Sequence, residues 1–157
     1  MKRKAHDDAA CSIARSLAQI GEWWSLLIIR DVSMGKRRFS ELAESLDIAR
    51  NILSSRLKTL TGCGVLISRP AADDRRYWEY ELTEKGRDLH VTLVALQQWG
   101  ARWTHAEGQA TYVQIDRTSG EEIEPLRLRS RDGRLLGMED LAIIRRDEHH
   151  RPKRNPA

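Results

Sequence analysis

The stretch Ala49–Gly64, ARNILSSRLKTLTGCG, decides how the rest of the chain is read. Leu53, Leu57 and Leu60 recur at i, i+4 and i+7, the spacing of a core-facing helical stripe. Asn51, Ser54, Ser55 and Lys58 recur at i, i+3, i+4 and i+7 on the opposite side. That side has hydrogen-bonding groups and a cation but no carboxylate. Base edges and phosphates present acceptors that suit such donors. A solvated surface helix has the same composition, so this helix alone leaves both readings open and its neighbours must choose.

Upstream, Cys11 to Ile20 reads as a short helix with Cys11, Ala14, Leu17 and Ala18 on one face, stopped by Gly21. Glu22 to Val32 is apolar almost all round, through Trp23, Trp24, Leu26, Leu27, Ile28, Ile29 and Val32, and is expected to be the central buried helix. Lys36, Arg37 and Arg38 then form a basic cluster. Ser40 is the expected N-cap of a helix running to Leu46, with Glu41 in its first turn. A turn at Asp47-Ile48 leads into the opening stretch. The result is helix, short turn, helix, with the polar stripe on the second helix.

Downstream, Val65 to Arg69 and Tyr77 to Leu82 read as two strands around a turn rich in Pro and Asp. In the second strand Trp78, Tyr80 and Leu82 alternate with polar residues, the pattern of a strand with one buried face. The hairpin tip carries Arg69, Arg75 and Arg76. Thr83 is expected to cap a long helix reaching about Thr104. Its apolar series Leu89, Leu93, Leu96, Gly100, Trp103 has heptad spacing, read as a subunit seam against the alternative of ordinary packing. From Thr111 to Arg146 short apolar runs are split by Ser119-Gly120 and Asp132-Gly133, both hairpin-turn dipeptides. The expected fold is mainly α with small β: a winged helix-turn-helix domain with a long dimerisation helix and a short C-terminal antiparallel β appendage of three or four strands. Four regions follow: a flexible N-terminus over 1–10, the winged domain over 11–105, the appendage over 106–146, and a disordered basic tail over 147–157.

A chain of 157 residues with 40% hydrophobic residues can bury a core. Its net charge of +4 and pI of about 9.3 fit a nucleic-acid partner without requiring one. Cys11 and Cys63 form neither a disulfide framework nor a zinc site by spacing, which fits a reducing cytoplasm. His6, His90, His105, His149 and His150 show no metal-ligand spacing. The start MKRKAHDDAA lacks the apolar run of a signal peptide, and no stretch is long and apolar enough to span a membrane. No nucleophile–base pairing, Gly-rich phosphate loop or metal motif is present. An enzyme, a cofactor and a metal are therefore not expected.

The order of these elements resembles the HxlR family of bacterial transcriptional regulators, a branch close to the MarR type. The words that carry the resemblance are Cys11-x-x-Ala14-x-x-Leu17-x-x-Ile20-Gly21-x-x-Trp24, Leu27-Ile28-x-Arg30-Asp31 and Arg38-Phe39-Ser40-Glu41-Leu42. They continue through Leu53-Ser54-x-Arg56-Leu57-Lys58-x-Leu60, Gly64-Val65-Leu66 and Tyr80-x-Leu82-Thr83-x-x-Gly86, covering about residues 11 to 100. The resemblance implies a homodimer on a roughly palindromic operator of double-stranded DNA, most often as a repressor. Two departures stand out. Ala49 replaces a Ser common near the start of the recognition helix, so Asp47 is an alternative cap. Longer members end in a zinc-ribbon-like segment with Cys-Gly pairs, where this chain has Ser119-Gly120 and Asp132-Gly133. If that element is present it holds no metal and depends on side-chain packing.

On this reading Arg50, Asn51, Ser54 and Ser55 face bases, and Lys58 a phosphate. Arg37, Arg38 and Ser40 lie at a helix start that favours phosphate. Arg75 and Arg76 on the wing meet the minor groove or backbone, and Asp73 and Asp74 cap the turn. Arg56 is either a phosphate contact or a structural ion pair. Cys11 is either a redox switch, as in some members of the resembled family, or a small buried packing residue. Trp23, Trp24, Trp99 and Trp103 either line an aromatic effector pocket or pack the core and the dimer.

Overall fold

A computed structural model describes residues 11–106, 109 and 112–144. The flexible start and basic tail expected above lie outside the described residues. The chain divides into two compact units between residues 110 and 111.

The first unit begins with α1 (Ser12–Ile20), closed by Gly21, whose N–H donates to the Leu17 carbonyl at 2.8 Å. A Cβ at Gly21 would stand 2.3 Å from that same oxygen, so no larger residue fits this stop. Only Ile20 of α1 is buried; Cys11, Leu17 and Ala18 on the expected apolar face are exposed. Next, α2 (Trp23–Ser33) packs against α1, α3, α4, β2 and α6, the central position its composition predicts. Ile28, Ile29 and Val32 fill the core around it. Asp31 of α2 is only 1% exposed and is held by Arg30 at 2.7 Å and Lys36 at 3.7 Å.

The next helix, α3, is Phe39–Leu46, and its N-cap is Arg38 rather than Ser40. The cause is Glu41, whose carboxylate reaches back to accept the backbone N–H groups of Arg37 and Arg38, both at 2.8 Å. That fixes the helix start two residues earlier than a Ser cap would. Asp47 ends α3 in the left-handed region at φ 46° and ψ 43°. It therefore serves as the α3 C-cap and does not cap the following helix. That helix, α4 (Arg50–Gly62), buries Leu53, Leu57 and Leu60, the predicted stripe. Each such burial contributes about 1.5–3 kcal/mol of transfer free energy.

Two antiparallel strands follow, β1 (Leu66–Pro70) and β2 (Trp78–Leu82), in register Leu66↔Leu82 through Pro70↔Trp78. Tyr80 and Leu82 pack against the core as their alternation predicts, but Trp78 near the tip is exposed. The N–H of Tyr80 donates to the Arg37 carbonyl at 2.9 Å, and Arg38 bridges Glu79, which ties the wing to the start of α3. The long terminal helix is interrupted: α5 (Glu84–Arg87) gives way at Asp88 and Leu89 to α6 (His90–Trp103). Thr83 caps α5, accepting from the Gly86 N–H at 3.1 Å. The expected seam is divided as well. Leu89 and Leu93 pack on the core, while Leu96, Trp99 and Trp103 stand exposed along one side of α6.

In the second unit the expected antiparallel pairing shrinks to two isolated bridges, Ile115↔Glu122 and Arg129↔Leu135. Three or four regular strands do not form among its described residues, which add only a 3-10 turn at Met138–Asp140. The two predicted turns are present, with Gly120 and Gly133 at φ 75° and 87°, a conformation only glycine adopts freely. The turns are cross-tied by side chains: Thr118 N–H donates to the Asp116 carboxylate at 2.7 Å, and the Ser130 hydroxyl donates to Asp132. They are not held by a packed interior, because no residue of 112–144 is buried.

Candidate nucleic-acid interface

The outer face of α4 is free. Arg50, Asn51, Ser54, Ser55 and Lys58 are all exposed. Among the described residues none of their side chains makes an ion pair or a hydrogen bond. No acidic residue lies in the first turn, and the N-cap Ala49 makes no side-chain bond. Arg50 at the first helical position is poorly placed for the helix dipole, which disfavours a cation there. Its guanidinium lies 5.2 Å from the centre of the Phe39 ring of α3, a cation–π contact that fixes it across the turn. An uncapped helix start with a cation held beside it is a site for an anion.

The start of α3 is different. Its donors at Arg37 and Arg38 are consumed by Glu41, and those same backbone bonds hold the Glu41 carboxyl below its usual range. Arg37 pairs with Glu81 at 3.0 Å. Arg38 is one-third exposed, bonds Asp73, and lies 3.4 Å from Glu79. The phosphate position expected around Arg37, Arg38 and Ser40 therefore already contains carboxylates; of the three, Ser40 alone is exposed with no side-chain partner among the described residues.

On the wing, Arg76 is clamped by Asp74, which accepts from its Nε at 3.0 Å, its Nη2 at 2.7 Å and its backbone N–H at 3.0 Å. These bonds hold the Asp74 carboxyl low and the Arg76 guanidinium high; Arg38 does the same to Asp73. Arg69 and Arg75 are exposed and, among the described residues, unpaired. Asp73 and Asp74, expected only to shape the turn, thus also neutralise two of the basic residues near the tip. Between α4 and the hairpin runs a cleft of about 320 Å³, lined by Ser54, Leu57, Lys58, Thr61, Ser68 and Tyr80. Burial raises the Tyr80 hydroxyl above its ordinary pKa, so it stays a neutral donor.

Arg56 resolves to the structural alternative: it lies half-buried, 3.9 Å from Glu22. Cys11 is exposed among the described residues and sits at the N-cap of α1. Cys63 is half-buried with its Sγ 3.5 Å from the Leu60 carbonyl. Neither the cleft beside α4 nor a second one near His90 is lined by any of the four tryptophans. Trp24 packs on the core and stacks on Trp23 at 4.1 Å, whereas Trp99 and Trp103 are 56% and 64% exposed. A cleft of about 460 Å³ is lined instead by Val32, Arg37, Tyr80, Glu81, Arg87 and His90. Among the described residues no group of three or more His, Cys, Asp or Glu could hold a metal ion, and no helix is long and apolar enough to cross a membrane.

Sequence reasoning missed the acidic partners Glu41, Glu79 and Glu81, and the Phe39 ring under Arg50. Glu41 carried a local signal, three residues after Arg38; the other two carboxylates lie about forty residues away in sequence and carried none.

Residues 19–108 match the model of the HxlR-like helix-turn-helix family. The uncharacterized HTH-type transcriptional regulator Rv3095 of Mycobacterium tuberculosis is 42% identical over 115 residues, covering 73% of this chain and 72% of that one. The crystal structure of PA1607, a candidate transcription factor, superposes with a TM-score of 0.86 at 40% identity, covering 90% of this chain and 99% of that one. The redox regulator HypR in its oxidized form is also similar, at 27% identity and a TM-score of 0.53, covering 57% of this chain and 94% of that one.

Proposed function

The chain belongs to the HxlR-like helix-turn-helix family of transcriptional regulators, and from that membership we propose that it is a homodimeric repressor binding a pseudo-palindromic operator. The observation that carries this reading is the exposed, carboxylate-free outer face of α4. Arg50, Asn51, Ser54 and Ser55 read bases in the major groove, with Arg suited to guanine and Asn to adenine. The open N-terminus of α4 and Lys58 take phosphates. Arg69 and Arg75 steer the wing toward the backbone, and Arg38 and Arg76 join them only when a phosphate displaces Asp73 or Asp74. Leu96, Trp99 and Trp103 form the apolar side of α6 that a second subunit covers, setting the spacing between recognition helices. Selection of bound sites from random duplex DNA tests the proposal. A palindromic consensus with two half-sites about one helical turn apart is the expected result. Recovery of no consensus overturns it.

A second reading is favoured by one observation, the exposure of Cys11 at the N-cap of α1. HypR, of similar fold, is a redox regulator. In this reading oxidation of Cys11 alters DNA binding. Operator affinity is compared before and after diamide treatment, for the native chain and for Cys11→Ser. A diamide response in the native chain alone supports the switch; identical responses in both dismiss it.

A further inference from the structure

The segment 112–144 takes no part in the reading above, yet its side chains are arranged in an unusual way. No residue in it is buried, and Val113, Ile115, Leu126, Leu128, Leu135 and Met138 are all exposed, Met138 by 91%. Its backbone is nonetheless organised by turns. Gly120 N–H donates to the Asp116 carbonyl at 2.8 Å, Ser130 N–H to the Arg134 carbonyl at 2.9 Å, and Leu136 N–H to the Leu128 carbonyl at 2.9 Å. A segment this short, with nothing buried, does not offset its own chain entropy. Its apolar side chains need a cover.

The charge pattern identifies the cover. Residues 121–124 read EEIE and residues 127–131 read RLRSR, on either side of Pro125-Leu126. Glu121, Glu122, Arg127 and Arg131 make no ion pair among the described residues. A two-fold axis near Leu126 lays the acidic end of one copy on the basic end of the other, and does so twice. It also brings Leu126 and Leu128 of one copy toward those of the other. This is the pattern of an isologous contact, in which one patch is its own complement. Duplex DNA is the wrong cover, because carboxylates outnumber guanidiniums in 112–144.

We propose that residues 112–144 form a second dimerisation element that packs against the same segment of a second copy. The inference rests on the homodimer of the preceding section and extends its interface beyond α6. The test uses two full-length variants with reversed charge, Glu121→Arg with Glu122→Arg, and Arg127→Glu with Arg131→Glu. Each is studied alone and in an equimolar mixture, with one partner fluorescently labelled, by sedimentation velocity beside the native chain. Circular dichroism checks that each variant is folded. Each variant alone is expected to dimerise about tenfold more weakly, through lost and reversed ion pairs, and the mixture to recover native affinity within about threefold as a heterodimer. Unchanged dimerisation of either variant overturns the inference while leaving the α6 interface standing. Weakening without recovery on mixing also overturns it, because the segment then packs within its own chain or on another partner. A native chain that stays monomeric at every concentration refutes the homodimer itself, and that outcome is read from the native arm alone.

Discussion

Replacing Asp73 by Asn should make this protein bind DNA more tightly and with a steeper dependence on salt. Asp73 is exposed and bonds the Arg38 guanidinium, while its Oδ1 accepts the Asp74 N–H at 2.9 Å. Asparagine keeps the oxygen that shapes the turn and removes the charge that occupies Arg38. Arg38 then has only Glu79, at 3.4 Å, as a competitor for phosphate. One additional phosphate contact steepens the slope of log K against log salt by about 0.9. Over a fourfold rise in salt that is an extra loss of about 3.5-fold, the same for operator and random duplex because a phosphate carries no sequence. Arg38 holds the Asp73 carboxyl below its ordinary value of 3.8. The native pair is therefore complete above that value and is lost only as pH falls through the depressed one. The difference between native and variant should consequently be constant from about pH 5 to 8, where no carboxylate of this kind titrates. Fluorescence anisotropy on labelled duplexes across a salt series at three pH values measures all of this. An unchanged slope, or weaker binding by the variant, would refute the reasoning, since Asp73 would then be a turn residue alone.

Further outcomes follow from the geometry. Arg50→Ala should reduce the ratio of operator to random-DNA affinity by about 1–3 kcal/mol, whereas Arg75→Ala should weaken both duplexes alike and flatten the salt slope by about 0.9, both read by anisotropy. Leu53→Ala, at a fully buried position, should cost about 2–5 kcal/mol in urea denaturation. Gly86→Ala should destabilise by about 1–3 kcal/mol, because its Cβ would stand 2.3 Å from the Val65 carbonyl oxygen; Gly62→Ala, with nothing within 4 Å, should instead stabilise α4 slightly.

The parts of this fold visible in the sequence are those governed by a local period. Leu53, Leu57 and Leu60 announce α4 because an α-helix returns to the same face every three or four residues. Tyr80 and Leu82 announce their strand because a pleat returns every two. Thr83 announces a helix start because its hydroxyl meets an N–H only three residues on. Gly86 was visible as a word of the family pattern but not as a cause: the close approach of Val65 to it is a tertiary fact. The same limit explains the divided α6. Heptad spacing identifies apolar positions but does not say which of them the first unit already covers, and Leu89 and Leu93 went to the core.

Charge is where the candidate site was least legible, for a physical reason. A sequence displays Arg37, Arg38, Arg75 and Arg76 as four cations, and electrostatics acts on what surrounds each. Folding sets Glu81 beside Arg37, Asp73 and Glu79 around Arg38, and Asp74 against Arg76, leaving only Arg75 of the four unpaired among the described residues. Glu41 occupies the helix start that the linear reading reserved for phosphate. Among the described residues the free donors lie instead on α4 and its uncapped first turn, where no carboxylate is bonded to them. Of the wing's three arginines, Arg76 is held by Asp74 while Arg69 and Arg75 are unpaired among the described residues, so the wing's pull on phosphates rests on those two until a phosphate displaces Asp74. On the proposed reading, discrimination between sequences falls to α4, whose own residues include no carboxylate.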